Sequence, residues 1–212
     1  MPIDALTVNR ADGDSPDKRQ EILDVAASFF LSYGFEGASV NAMARHSGIS
    51  KESFYRYFRG KEELFTAVLD QELAGYQRNI TAITEHWNEE DMRETLRKVA
   101  HTLLTVLMSD RQRALRQLVF NEVRRNPEIG AHYYRIGPSV AYDSLEAYFS
   151  LHTGESDFEP RYLARAFLAL LLHDLTLARN CGMRGQLDAQ EMAARVNGTV
   201  DPFIKAFFRS QA

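Results

Sequence analysis

Apolar residues recur at three- and four-residue intervals along almost the whole chain, which restricts it to helices packed on helices. The pattern is clearest where Ile22, Val25, Ala26, Phe29, Phe30 and Tyr33 fall at offsets of 0, 3, 4, 7, 8 and 11. Ser15-Pro16-Asp17 precedes them as a helix start, and Gly34 follows where a left-handed cap belongs. A short loop through Gly37 leads to Ser39, an N-cap for a two-turn helix whose apolar face is Val40, Met43 and Ala44. Gly48 closes that helix, Ser50 caps another ending near Phe58, and Gly60 precedes a long one, "KEELFTAVLDQELAGYQRNITAITEHW". Further amphipathic helices follow, interrupted at Asp110, Asn126-Pro127, Gly137-Pro138 and "HTGESDFEP". The expected fold class is all-α.

Composition sets the outer limits. Of 212 residues, 45% are hydrophobic and 25% charged, the balance of a globular chain rather than a disordered one. The longest apolar run, "AFLALLL" at 166–172, stops at His173 and Asp174, far short of the ~20 residues that cross a bilayer. No membrane partner is expected. The first residues lack a basic start and an apolar stretch, so they are not read as a signal peptide, and 1–16 is read as a mobile arm. A single cysteine, Cys181, offers neither an intramolecular disulfide nor a zinc framework and suits a reducing cytoplasm. It is expected to be a semi-buried thiol, and no metal or cofactor is expected.

The net charge of −4 does not suggest a polyanion as partner, but its distribution does. Between Ser39 and Lys61 stand Arg45, Lys51, Arg56, Arg59 and Lys61 against one acid, Glu52. A concentrated basic face on an acidic body is a footprint for nucleic acid. The same stretch holds two short helices joined by a tight Gly-containing turn, "HSGIS", the pattern of a helix-turn-helix. In such a pair the second helix enters the major groove. That explains why "GISKESFYRYF" carries Lys51, Glu52, Ser53, Tyr55, Arg56 and Tyr57 on its outer positions, with only Ile49, Phe54 and Phe58 as an apolar strip. Ser39 and Ser50, at helix N-termini, suit phosphates. Lys51, Ser53 and Arg56 are candidates for base edges, Arg and Lys matching the two acceptors of guanine. Glu52 either accepts from a cytosine amino group or pairs with Arg56 at i,i+4. Tyr57 either contacts DNA or packs on the first helix. Arg10, Lys18 and Arg19 are interleaved with acids and are read as a solvated arm.

"EGASVNAMARHSGISKESFYRYFRGKEELFTAVLD", together with "ILDVAASFFLSYGFEGAS" before it, resembles the DNA-binding domain of the TetR family of bacterial transcriptional repressors. The likeness covers residues 19 to about 70 and departs from the family at Glu52, where Gly is frequent, and at Arg56, where Tyr is frequent. The resemblance implies phosphate contacts at Tyr55, Tyr57 and Lys61. It also implies a helix-turn-helix domain over 17–60 and an effector-binding and dimerisation domain over 61–212. "LRQLVFNEVRRNPEIGAHYYRIGP" resembles the effector-binding half of AcrR/AefR-like members. From this come three expectations: double-stranded operator DNA as partner, a homodimer, and a small hydrophobic or aromatic effector. Late helices over 160–179 and 189–208 would pair two subunits through Leu163, Leu170, Leu171, Val196, Val200, Phe203 and Phe207. A pocket between the middle helices would use Leu104, Met108, Phe120, Tyr134, Tyr142, Phe149 and Phe167 as lining, with His101, Asn121 and His173 as polar anchors. His173-Asp174 follows six apolar residues, and a buried pair there demands a partner. The expected mechanism is a homodimeric repressor released when the effector swings the fourth helix. Alternatives are a co-repressor-dependent regulator or an activator with the same head. A remoter one is an all-α enzyme, for which the sequence offers no paired His at metal spacing and no recognisable nucleophile setting.

Overall fold

Each helix of the computed structural model, which describes residues 16–84 and 91–209, begins or ends on the punctuation that the sequence supplies. Ten helices follow in chain order among the described residues: α1 (Pro16–Gly37), α2 (Val40–Ser47), α3 (Lys51–Tyr57), α4 (Lys61–Thr84), α5 (Met92–Leu107), α6 (Asp110–Glu122), α7 (Pro127–Ile136), α8 (Pro138–Ser150), α9 (Pro160–Asn180) and α10 (Ala189–Phe207). No strand occurs among those residues, so the fold is all-α. The arm expected over 1–16, with Arg10, lies almost wholly outside the described residues, as does the end of the long fourth helix expected through Trp87.

Local chemistry accounts for the boundaries. Ser39 and Ser50 each accept from the backbone N–H three residues on, at 3.1 Å in both cases. Pro fills the first position of α7, α8 and α9, where its missing N–H removes nothing from the helix. Asp188 and Glu191 form a reciprocal capping box at the start of α10. Gly34, expected to end α1, instead marks a kink at φ 72° inside it, and the helical turns resume to Gly37.

Two apolar clusters organise the chain. One joins α1–α3 and the first half of α4 to Leu115, Leu118 and Val119 of α6 and Ile129 and Tyr133 of α7. Within it Phe30, Phe35 and Phe65 meet at centroid separations of 5.0–5.8 Å, locking α1 to α4. Burial of each such ring contributes about 1.5–3 kcal/mol. The other cluster joins Tyr76 and Ile80 of α4 to α5, α8, α9 and α10. Thus α4 spans both clusters, and the core of the N-terminal helices continues into α6 and α7.

Candidate nucleic-acid interface and effector cavity

The turn between α2 and α3 is set by Gly48, at φ 70° and ψ 6°, whose N–H closes α2 on the Ala44 carbonyl at 3.0 Å. That left-handed conformation is strained for any residue with a Cβ. Ile49 is buried beneath the turn, and Phe54 and Phe58 hold α3 down on the core. The opposite face of α3 is exposed and carries Lys51, Glu52, Tyr55 and Arg56. The Lys51 ammonium lies 5.7 Å from the Tyr55 ring, and the Arg56 guanidinium 5.4 Å from that of Tyr57. At these distances each cation is attracted to the ring face beside it. Arg45 on α2, together with Ser39 and Ser50 at the two N-termini, is exposed on the same pair of helices.

Two expected contacts are placed differently. Ser53 is 4% exposed, and its hydroxyl is 2.9 Å from that of Ser50. It therefore braces the start of α3 and does not present a group to a base edge. Lys61 donates to the Phe35 carbonyl at 2.9 Å, with its ammonium 4.3 Å from the Phe35 ring. It ties the start of α4 to the end of α1, a structural duty that its reading as a phosphate contact did not include. Tyr57 is half-buried against the N-terminal core. Arg19 lies over the Phe58 ring at 5.2 Å, and Lys18 pairs with Glu21.

A cavity of about 380 Å³ lies between α4, α5, α6, α7, α8 and α9, near the lower end of the ~300–1,000 Å³ usual for small-molecule sites. Leu73, Tyr76, Leu103, Leu107, Tyr133, Ala141, Leu168 and Leu172 give it apolar walls, and Gln112, Arg116, His173, Thr176 and Asn180 add polar groups. Of the ten residues expected to form the pocket, Phe120, Tyr142 and His173 line it. Leu104, Met108, Phe149 and Phe167 are fully packed in the core behind it. Asn121 and Tyr134 are exposed outside it, and His101 lines a separate groove beside α10. His173 is exposed at the rim, while Asp174 turns to Arg195 on α10, so the two are not a buried pair.

Arg116 was missed, although its position gave a signal. Gln112, Leu115, Arg116 and Val119 share one helix face at offsets of 0, 3, 4 and 7, so two polar residues sit in an apolar stripe. All four are buried. Burial works against the Arg116 charge; Tyr133 partly steadies it, and Arg179 and Arg113 add like-charge repulsion. Burial likewise pushes the Tyr76 hydroxyl well above the usual phenol range, and Tyr133 adds to it. The walls of the cavity are tied to the head. Arg111 on α6 grips the buried Glu72 carboxylate of α4 through Nε at 2.6 Å and Nη2 at 2.5 Å. His132 on α7 meets Asp70 at 2.7 Å, and Gln77 donates to the Ile136 carbonyl at 2.8 Å.

The outer faces of α9 and α10 differ from the expected interface. Leu163, Leu171, Val196, Val200 and Phe203 are buried in their own subunit's core, because they form the seam between α9, α10 and the helices beneath. Leu170 is 52% exposed and Phe207 is partly exposed, alongside Tyr162 and Leu177. Beside them a groove of about 450 Å³ is floored by Ala194, Gly198, Pro202 and Ala206. Cys181, expected to be semi-buried, is exposed where α9 ends.

A capped helix-turn-helix, sharing its core with the walls of a ligand-sized cavity, belongs to the class of DNA-binding transcriptional regulators. The profile of bacterial regulatory proteins of the tetR family matches residues 22–68, and that of the AefR-like transcriptional repressor C-terminal domain matches 94–208. The chain belongs to the TetR family. It is 36% identical over 87 residues to the HTH-type transcriptional repressor AcnR of Corynebacterium efficiens, a match covering 41% of this chain and 45% of that protein. The chain spans less than half the length of the curated relatives it first matches, 45% and 48%. A TetR-family regulator of known structure from Mesorhizobium loti has the same fold, with a TM-score of 0.82 at 24% identity over 93% of this chain and all (100%) of that one. The Flavonoid-responsive Regulator FrrA follows with a TM-score of 0.75 at 25% identity over 93% of this chain and 100% of its own. These relatives are regulators, so the enzyme alternative falls away. No described helix is long and apolar enough to cross a membrane.

Proposed function

We propose that the protein is a homodimeric, cytoplasmic repressor that binds a near-palindromic operator and leaves it when a small apolar-bodied effector enters the cavity of each subunit. Lys51, Glu52 and Arg56 read base edges from α3 in the major groove. Arg45, Ser39, Ser50, Tyr55 and Tyr57 hold phosphates, with Lys61 contributing from its anchored position. The observation that carries this reading is the shared wall: α4, α6 and α7 each supply residues to the N-terminal core and to the cavity. A ligand that repacks Leu73, Arg116 or Tyr133 displaces the same helices that seat α3. It shifts the equilibrium only by its difference in affinity for the DNA-bound and released states. FrrA, whose name records a flavonoid response, supports a small-molecule effector for this architecture.

The exposed row Tyr162, Leu170 and Leu177 is the proposed dimer face, since two half-sites require two heads. The test is binding of the purified protein to DNA upstream of its own coding region, titrated across salt. A tight complex of two subunits, or a multiple, on one palindrome, with affinity falling steeply in salt, supports the reading. Operator occupancy that requires an added effector would reverse the sign to co-repression. A complex with no preference over random DNA of the same length would defeat the assignment of α3 to this operator.

A further inference from the structure

We infer that the cavity selects an amphipathic carboxylate, whose charged group is taken by Arg116 while its apolar body lies among Leu103, Leu168 and Leu172. The inference rests on the reading of this cavity as the effector site and adds the chemical class of the effector.

Arg116 is 7% exposed and lines the cavity from α6. Its Nη2 donates to the Leu107 carbonyl at 3.0 Å, the carbonyl that ends α5, and Tyr133 partly steadies the guanidinium. Its Nε and Nη1 are buried with no hydrogen-bond partner, and among the described residues no carboxylate lies in ion-pair range. Nearby acids are already taken: Glu72 by Arg111, and Asp110 by Arg179 and Gln186. A buried guanidinium left this way is unfavourable, and a ligand anion removes the deficit. Nη1 offers a carboxylate oxygen a charge-assisted hydrogen bond, and Nε–H, on the edge it shares with Nη2, offers another on a different side of the guanidinium. Both nitrogens are covered by neighbours, so the arriving group draws the side chain toward the cavity. That motion loosens its hold on the end of α5. Gln112, whose Oε1 is also unpartnered, offers an acceptor for a ligand hydroxyl nearby.

The probes are decanoate, cinnamate and 2-naphthoate, each compared by calorimetric titration with the neutral amide of the same skeleton. At least one carboxylate should bind about tenfold or more tighter than its amide, the range of a charge-assisted hydrogen bond. In Arg116→Met the preference should collapse to within about threefold, with the amide's affinity kept. Arg116→Lys should retain part of the preference and guards against a folding defect in the apolar variant. Equal binding of acids and amides, a preference that survives Arg116→Met, or no carboxylate binding at all would each overturn the inference. Operator binding is followed in parallel. Amides that release the operator as well as acids would sink the carboxylate and keep the effector reading. An Arg116-dependent acid that leaves operator affinity unchanged would do the reverse.

Discussion

Gly48 shows how one residue sets the geometry of the head. A Cβ built there meets no heavy atom within 4 Å, so sterics with neighbours cannot explain a substitution's effect; the cost lies in the backbone at φ 70°. Gly48→Ala should therefore destabilise the protein by roughly 1–2 kcal/mol, the penalty of a left-handed conformation, measured by urea unfolding. A change below a few tenths would mean the turn readjusts freely. The α3 face gives a second test at this scale. Arg56→Ala should weaken operator binding and reduce the salt slope by about 1 if it meets a phosphate, or relax preference at one base pair if it meets an edge. Neither the melting temperature nor ligand affinity should move. Lys61→Ala is a less clean probe, because removing the ammonium also unties the Phe35 carbonyl and should lower the melting temperature. Anisotropy and thermal melts on the two variants separate these roles, and unchanged DNA binding in Arg56→Ala would remove this side chain from the interface.

At the scale of elements, the proposed coupling of cavity to head would run through the α4–α6 clamp of Arg111 and Glu72. The Glu72 side chain is 5% exposed, whereas that of Arg111 is 59% exposed, so the carboxylate is the buried partner. Arg111→Met leaves that carboxylate without its guanidinium, and a loss of about 1–3 kcal/mol is expected, toward the low end because water still reaches the arginine side. Ligand affinity should hold while ligand-driven release from the operator weakens. Release at the wild-type ligand concentration would show that α6 does not transmit through this contact. Helix boundaries such as Ser39, Ser50, Gly48 and Pro160 were legible in the sequence because caps and breakers act on their own neighbours. The cavity was not. Leu104, Phe149 and Phe167 have the same spacing and hydrophobicity as Leu103 and Leu168, and only the crossing of six helices decides which of them faces empty space. Ser53 was misread for a related reason: a polar residue in the first turn of α3 satisfies the Ser50 cap from within. Arg116 was readable in principle, as a charge inside an apolar stripe.

For the whole molecule, the question is which surface would join two subunits in the proposed dimer. An apolar stripe predicts burial but not by what, and most of the α9 and α10 stripe is consumed inside one chain: Leu163, Leu171, Val200 and Phe203 are each at most 1% exposed. What remains outward is Tyr162, Leu170 and Leu177, successive along one side of α9, with Phe158 and Phe207 packed on Tyr162 at centroid distances of 5.2 and 6.2 Å. Arg195 fixes α10 against this helix by donating to the Leu170 and Leu171 carbonyls at 2.8 and 2.9 Å, so the two helices offer a rigid face. A stable pair needs about 800 Å² from each partner, and the small residues Ala194, Gly198 and Ala206 on α10 would let that helix approach alongside α9. Leu170→Glu with Leu177→Glu should therefore give a folded monomer by sedimentation, because both side chains already face water in the single subunit. Its affinity for the palindrome should fall to near that of a half-site. The contrasting substitution Leu171→Glu should unfold the chain, since it buries a charge in the core with no partner. A double variant that still sediments as a dimer would move the interface off α9, and the two heads would then have to be spaced by another face.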